Sequence, residues 1–247
     1  KYGFLIIKKV LSKKNIFIIN NRLKFLEKIQ KASRGTFEPG VRKSVIHSVH
    51  KDKILEQIIE KKHWFQNSLK KILKSNKIIC WNAKSNLKRR WKGSVEYYHQ
   101  DYIYRKILGF KSSNMINCMV FVDDHRHLNG GLWIFPGSHK KDYKHEKFLN
   151  INSLQKFFIP QSTLDKLAKK FKPIAINESK GTCLFFHSRL IHGSSHNISP
   201  YDRKILLYDI TTKKNFDDAD LNRVRTYNRK IRKVFEKKEL LKRLKSL

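Results

Sequence analysis

His99-Gln100-Asp101, His192 and Arg203 are the residues of this chain whose types and spacing could do chemistry. Two imidazoles and one carboxylate form the facial ligand set of a non-haem Fe(II) site, which leaves three metal positions open. An arginine eleven residues past His192 (203 − 192) is what such a site needs if it also holds a small dicarboxylate. Its planar guanidinium matches a carboxylate through two parallel hydrogen bonds and keeps its charge. On a strand, residues two apart face the same way, so His99 and Asp101 are expected to project together as neighbouring ligands. The third ligand must come from another segment, and His187, His192 and His196 compete for that role. His192 is the choice because Gly193 and Ser194 follow it and Arg203 lies at a consistent offset on the next strand. His187 could equally cap the preceding strand, and His196 could be a loop residue. Taken alone, the H-x-D pair is a weak signal and also fits a hydrogen-bonded surface pair. His47, His50, His63, His125, His127, His139 and His145 read as loop or surface residues.

The elements that must position these groups follow from the apolar periodicity. Phe4 to Val10 reads as a strand, residues 21–31 as a helix, and residues 33–50, with Gly35, Pro39 and Gly40, as a loop. Lys53 to Leu73 reads as one helix, with Ile54, Ile58, Phe65, Leu69 and Ile72 at helical spacing. Beyond Asn76 the period shortens to two. Residues 78–81, 95–104, 115–122, 131–135, 182–186 and 204–210 are short, β-branched or aromatic, and separated by Gly, Pro, Asn or Ser. Such spacing predicts a sandwich or barrel. Residues 138–180 read as a polar insertion carrying a helix at 162–171. A last amphipathic helix is expected after Asp217, Asp218 and Asp220, running through Leu221 to Leu244. The expected organisation is a single domain over 1–247: an N-terminal strand and helices (1–75), an all-β core (76–212) and a C-terminal helix (213–247).

The chain has 247 residues, 40% of them hydrophobic, enough for a sizeable core, and no apolar run approaches the length of a membrane span. It begins at Lys1 without a signal-peptide pattern, and a cytoplasmic location is the expectation. Cys80, Cys118 and Cys183 are odd in number and embedded in apolar stretches, which predicts buried thiols in a reducing compartment. The net charge of +35 raises the question of nucleic acid. The lysines are spread along the whole chain, however, and do not gather in a stripe with interleaved aromatics. Background composition is the preferred account, and nucleic acid is disfavoured as a partner. Attraction of an anionic substrate fits either account.

Four ordered segments resemble the phytanoyl-CoA dioxygenase family: residues 99–102 (HQDY), 129–140 (NGGLWIFPGSHK), 181–187 (GTCLFFH) and 192–203 (HGSSHNISPYDR). The opening Tyr2 to Ile7 is similar to the family's N-terminal strand. The resemblance is strongest over 80–212 and weak over 141–178 and the C-terminal helix. It implies a mainly β fold with flanking helices, a double-stranded β-helix (jelly roll, cupin-like). It further implies Fe(II) held by His99, Asp101 and His192, with 2-oxoglutarate as cosubstrate and O2 as oxidant. Arg203 would then grip the distal carboxylate of 2-oxoglutarate, and Ser194 would add a hydroxyl donor. Asn117 is a contact to the cosubstrate or, equally, a satisfied core amide. Lys88, eleven residues before His99 (99 − 88), matches a basic residue that contacts 2-oxoglutarate in the similar ectoine hydroxylases; a solvated surface lysine is the other reading. Asn82 matches a substrate-contacting glutamine there, and an ordinary structural role is preferred for it.

The family's implied reaction is hydroxylation of a small-molecule C–H bond with release of succinate and CO2. Asp101 favours hydroxylation over halogenation, since related halogenases carry a small residue at this point. Arg105 stands where ectoine hydroxylases have an aromatic residue, so ectoine is disfavoured; Arg105 either meets an anionic substrate or points outward. A CoA ester, a free amino acid and a specialised metabolite all stay open as substrates. Two alternatives belong to other classes: a non-catalytic jelly-roll protein binding nucleic acid or other anions, and a cupin-type metalloenzyme independent of 2-oxoglutarate.

Overall fold

The computed structural model describes residues 1–30, 44–149 and 155–219. The elements are β1 (Phe4–Ile7), α1 (Lys13–Ile29), β2 (Val45–His47), α2 (Lys53–Leu55), α3 (His63–Leu73), β3 (Ile78–Lys88), β4 (Glu96–His99), α4 (Tyr102–Ile107), β5 (Met115–Phe121) and β6 (Leu132–Ile134). They continue as β7 (Glu146–Leu149), β8 (Gln155–Phe158), α5 (Gln161–Phe171), β9 (Ile174–Ala175), β10 (Cys183–His187), β11 (His192–Ser194), β12 (Arg203–Thr212) and α6 (Lys213–Asp217).

Two antiparallel sheets make the core, a large one in the order β1-β10-β5-β12-β3-β2 and a small one in the order β4-β11-β6-β9. Every residue of β5 is buried because the large sheet is covered on both sides. On one face Cys118, Val120, Phe185, Leu206 and Tyr208 pack against Ile19 and Leu23 of α1 and Phe65 and Leu69 of α3. On the other, Met119, Phe121, Leu184, Phe186, Ile205 and Leu207 meet Leu132 and Ile134 of the small sheet. This is a double-stranded β-helix, with its helices stacked outside the large sheet. The strand period of two sorts β12 accordingly: even residues face the helices and odd residues the space between the sheets.

Several expected elements are redrawn. α1 begins at Lys13, well before residue 21, because Ser12 caps it by accepting a hydrogen bond from Asn15 N at 3.2 Å. Within the expected loop 33–50, Val45–His47 pairs with β3; residues 31–43 lie outside the described set. The single helix over 53–73 is interrupted. A π turn at Glu56–Glu60 follows α2, and Lys62 sits in extended conformation before α3. β3 runs on to Lys88, since β12 supplies a partner along its whole length. The strand expected over 95–104 stops at His99. Within 138–180, β9 pairs with β6 and so joins the small sheet. The helix expected from Leu221 falls outside the described residues, among which no helix is long and apolar enough to cross a membrane.

Candidate active site

His99 ends β4, and the chain turns immediately after it. Gln100 holds the turn: its side-chain amide donates to Lys141 O at 2.9 Å and Arg189 O at 2.6 Å, and its Oε1 accepts from Tyr143 N at 3.0 Å. Asp101 has helical backbone angles (φ −59°, ψ −28°) at the start of α4. The strand-parity reading of His99 and Asp101 is therefore corrected. They are brought together by a turn and not by a shared strand face. His192 reaches the same point by register, because β11 pairs with β4 so that His192 lies opposite His99.

The three side chains converge. Asp101 Oδ1 is 3.4 Å from His99 Nε2, and Asp101 Oδ2 is 3.6 Å from His192 Nε2. One ligand atom from each lies within 4.8 Å of the others. Both imidazoles have Nδ1 on a backbone carbonyl, His99 on Tyr97 O at 2.7 Å and His192 on Leu190 O at 2.9 Å. Nδ1–H is the donor in each case, which leaves the Nε2 lone pairs directed at the centre, as a metal requires. Burial lowers His192 to about 4, so this imidazole is neutral at neutral pH. Burial alone would raise the Asp101 carboxyl; His192, His99 and Arg105 outweigh it and hold it well below the usual carboxylate range. Asn117 Nδ2 donates to Asp101 Oδ2 at 2.6 Å, so this amide orients the Asp101 carboxylate. The rival histidines lie elsewhere: His187 packs on His139 with ring centroids 5.5 Å apart, and His196 is exposed. The donor set of two imidazole Nε2 atoms and one carboxylate fits a divalent metal.

Beside this centre, Arg203 opens β12 directly opposite Lys88, the last residue of β3. Both are buried, which removes the surface reading of Lys88. Lys88 Nζ donates to Ser194 Oγ at 2.8 Å, to Gly130 O at 3.4 Å and to Ser195 O. Its stem runs between two glycines: a Cβ on Gly93 would come within 2.1 Å of Lys88 Cγ, and one on Gly130 within 2.3 Å of Lys88 Cδ. Ser194 is thus an acceptor for Lys88. Arg203 differs. Its Nε is shielded from solvent and has no hydrogen-bond partner, and its guanidinium forms no ion pair among the described residues. Burial lowers it to about 10, still charged at neutral pH. A buried cation without a counter-ion is costly and marks where an anion belongs.

Further along the same two strands, Arg105 of α4 is turned in against them. Its Nη2 lies 2.9 Å from Asp209 Oδ1 and its guanidinium 4.8 Å from the Trp81 ring. Asn82 Nδ2 donates to the other Asp209 oxygen at 2.7 Å. Arg105 thus neither points outward nor offers a free charge. Lys84, which the sequence reading passed over, shares the face of Asn82 and Lys88 and forms no hydrogen bond or ion pair among the described residues. Burial lowers its pKa, against the opposing pull of Asp209 and Asp101. The alternation Asn82, Lys84, Asn86, Lys88 against Ala83, Ser85, Leu87 was the available signal. His125, read as a loop or surface residue, lies in a loop but is fully buried.

The fold and the clustered side chains define a jelly-roll protein with a two-histidine, one-carboxylate centre. The model described as phytanoyl-CoA dioxygenase (PhyH) matches residues 1–205, and the chain belongs to that family. It is 27% identical over 145 residues to an ectoine dioxygenase of Bordetella bronchiseptica, covering 56% of this chain and 47% of the relative. It is 25% identical over 142 residues to L-proline trans-4-hydroxylase of Streptomyces griseoviridis, 53% of each. The chain thus spans about half the length of the curated relatives it matches. The crystal structure of EctD from S. alaskensis with 2-oxoglutarate and 5-hydroxyectoine superposes with a TM-score of 0.73 at 19% identity, over 87% of this chain and 73% of that one. At that identity the likeness establishes the fold.

Proposed function

We propose that this chain is an Fe(II)- and 2-oxoglutarate-dependent dioxygenase, acting as one unit over residues 1–247, that hydroxylates a C–H bond of a small polar anion. The observation that carries the reading is the buried Arg203 guanidinium, without a counter-ion, beside the His99, Asp101 and His192 cluster. Fe(II) with 2-oxoglutarate supplies the oxidation: O2 takes two electrons from decarboxylation to succinate and CO2 and two from the C–H bond, which becomes C–OH. His99, Asp101 and His192 would hold the metal. Asp101 keeps a carboxylate in the ligand set, consistent with hydroxylation over halogenation. Asn117 and the carbonyls of Tyr97 and Leu190 fix the ligands' orientation.

Arg203 receives the distal carboxylate as a bidentate partner. Lys88, anchored by Ser194 and Ser195, adds a second positive charge to the same end. Ser194 and Lys88 serve the cosubstrate as a pair, with the hydroxyl orienting the ammonium. On the substrate side, Asp209 neutralises Arg105, and Lys84 is the cation left to meet a substrate carboxylate or other anion. The ion pair and Asn82 make that wall polar, which suits a compact hydrophilic molecule better than the branched acyl chain of a CoA ester.

Anaerobic addition of Fe(II) and then 2-oxoglutarate tests the reading. A weak visible charge-transfer band is expected from the chelate. A folded protein that gives no band and consumes no 2-oxoglutarate in air overturns it.

A further inference from the structure

His125 lies in the loop after β5 and is fully buried. Its backbone is pinned in both directions to Glu178, with His125 N to Glu178 O at 2.8 Å and Glu178 N to His125 O at 2.9 Å. Its ring stacks on Phe121, with centroids 4.3 Å apart and planes 12° from parallel. Nε2 accepts a hydrogen bond from Leu132 N at 2.8 Å. A ring nitrogen that accepts an N–H carries no proton, so the proton of the neutral imidazole sits on Nδ1. That Nδ1–H is shielded from solvent and has no partner among the described residues.

Each of the ring's neighbours belongs to the Arg203 end of the site. Phe121 pairs with Ile205, which shares the inward face of β12 with Arg203. Leu132 pairs with Ser194, whose hydroxyl is bonded to Lys88. Burial, followed by the positive fields of Arg203 and Lys88, keeps the imidazole from protonating. Packing the loop requires only the stack and the Nε2 bond. An orphaned buried donor is destabilising, and a histidine serving structure alone has no reason to retain it.

We propose that His125 donates from Nδ1 to the distal carboxylate of 2-oxoglutarate, as a neutral third ligand beside Arg203 and Lys88. This rests on the dioxygenase reading. It assigns to this chain a cosubstrate clamp of two cations and one fixed neutral donor.

Calorimetric binding of 2-oxoglutarate and of 2-oxobutyrate to the Ni(II)-loaded chain tests it, since 2-oxobutyrate is a 2-oxo acid without the distal carboxylate. His125→Phe keeps the stack and removes the donor. It is expected to raise the Kd for 2-oxoglutarate about tenfold, the loss of one hydrogen bond to a charged group, and to leave 2-oxobutyrate unchanged. Two further variants separate the ring's two nitrogens. His125→Asn keeps an N–H near the Nδ1 position and should retain the preference for 2-oxoglutarate. His125→Gln keeps an acceptor near the Nε2 position for Leu132 and should lose that preference. Native-like selectivity in both His125→Phe and His125→Gln, or equal weakening of both acids, overturns the assignment. If the native chain binds neither acid, the cosubstrate reading falls, and the role of His125 with it.

Discussion

The paired strands β3 and β12 border two cation sites, one holding Arg203 and Lys88 and the other, further along, holding Arg105 of α4, and the two are built differently. At one end Arg105 is neutralised by Asp209, which also takes an amide from Asn82, while Trp81 covers the guanidinium. At the other end Arg203, directly opposite Lys88 in the ladder, forms no ion pair among the described residues. A buried cation supplied with its own counter-ion is part of the wall, whereas one left without is a place for a ligand. The distance along one ladder from Arg203 to Asp209 therefore separates the proposed socket for an incoming anion from a neutralised ion pair. Lys84, between them, repeats the unfilled pattern on a smaller scale.

The largest effect expected is from Arg203→Met, which should weaken 2-oxoglutarate binding by roughly a hundredfold or more, as loss of a charge-paired contact implies. The same variant should melt higher than the native chain in the absence of 2-oxoglutarate, because it removes an uncompensated buried charge. Calorimetry and thermal unfolding read the two halves; a lower melting temperature would break the contrast. Asp209→Asn should do the opposite at the other end. It keeps a partner for Asn82 but strands Arg105, and a loss of about 3 kcal/mol is expected from breaking a buried pair. Little change in denaturant midpoint would show that the pair is not structural. Lys84→Met should raise the KM for the substrate about tenfold while leaving 2-oxoglutarate affinity as it was, again the scale of one charged hydrogen bond. An equal effect on both would place Lys84 at the cosubstrate end.

The smallest effect is in pH. Burial holds His187 and His192 at about 4, below their ordinary 6.5. Between those values the unfolded chain binds more protons than the folded one, so stability rises with pH across the window and is lost as pH falls. Glu60, raised to about 7 by burial, opposes this between 4.5 and 7, but as one group against two. The metal-free chain should melt progressively lower from pH 6.5 to 4; a flat profile would show that neither imidazole is held neutral.

The cluster of His99, Asp101 and His192 was legible because the three fall in short motifs whose order the fold preserves. The geometry behind them was not. Nothing local signals that the strand ends at His99, since the turn depends on Gln100 reaching carbonyls of Lys141 and Arg189 far along the chain. The helix over 53–73 was read as continuous because its apolar period runs through the π turn. Lys88 could be placed by its offset from His99, yet its burial depends on Gly93 and Gly130 closing around the stem. The burial of His125 was not legible because a histidine in a polar loop carries no local mark of it; Phe121 and Leu132 supply it.

By itself, the sequence determined the types of the candidate ligands, the run of short strands expected of a sandwich or barrel and the arginine that follows His192, since these are properties of residue identity and spacing. Tertiary structure decided which charges are spent and which are free. Asp209 stands 104 residues beyond Arg105 (209 − 105), and only the pairing of β12 with β3, with α4 packed alongside, brings them together. The same folding leaves Arg203 and Lys84 without a partner among the described residues. Whether a cation serves as wall or socket depends on what lies within a few ångströms of it, because a charge buried away from water is stabilised only by its immediate neighbours.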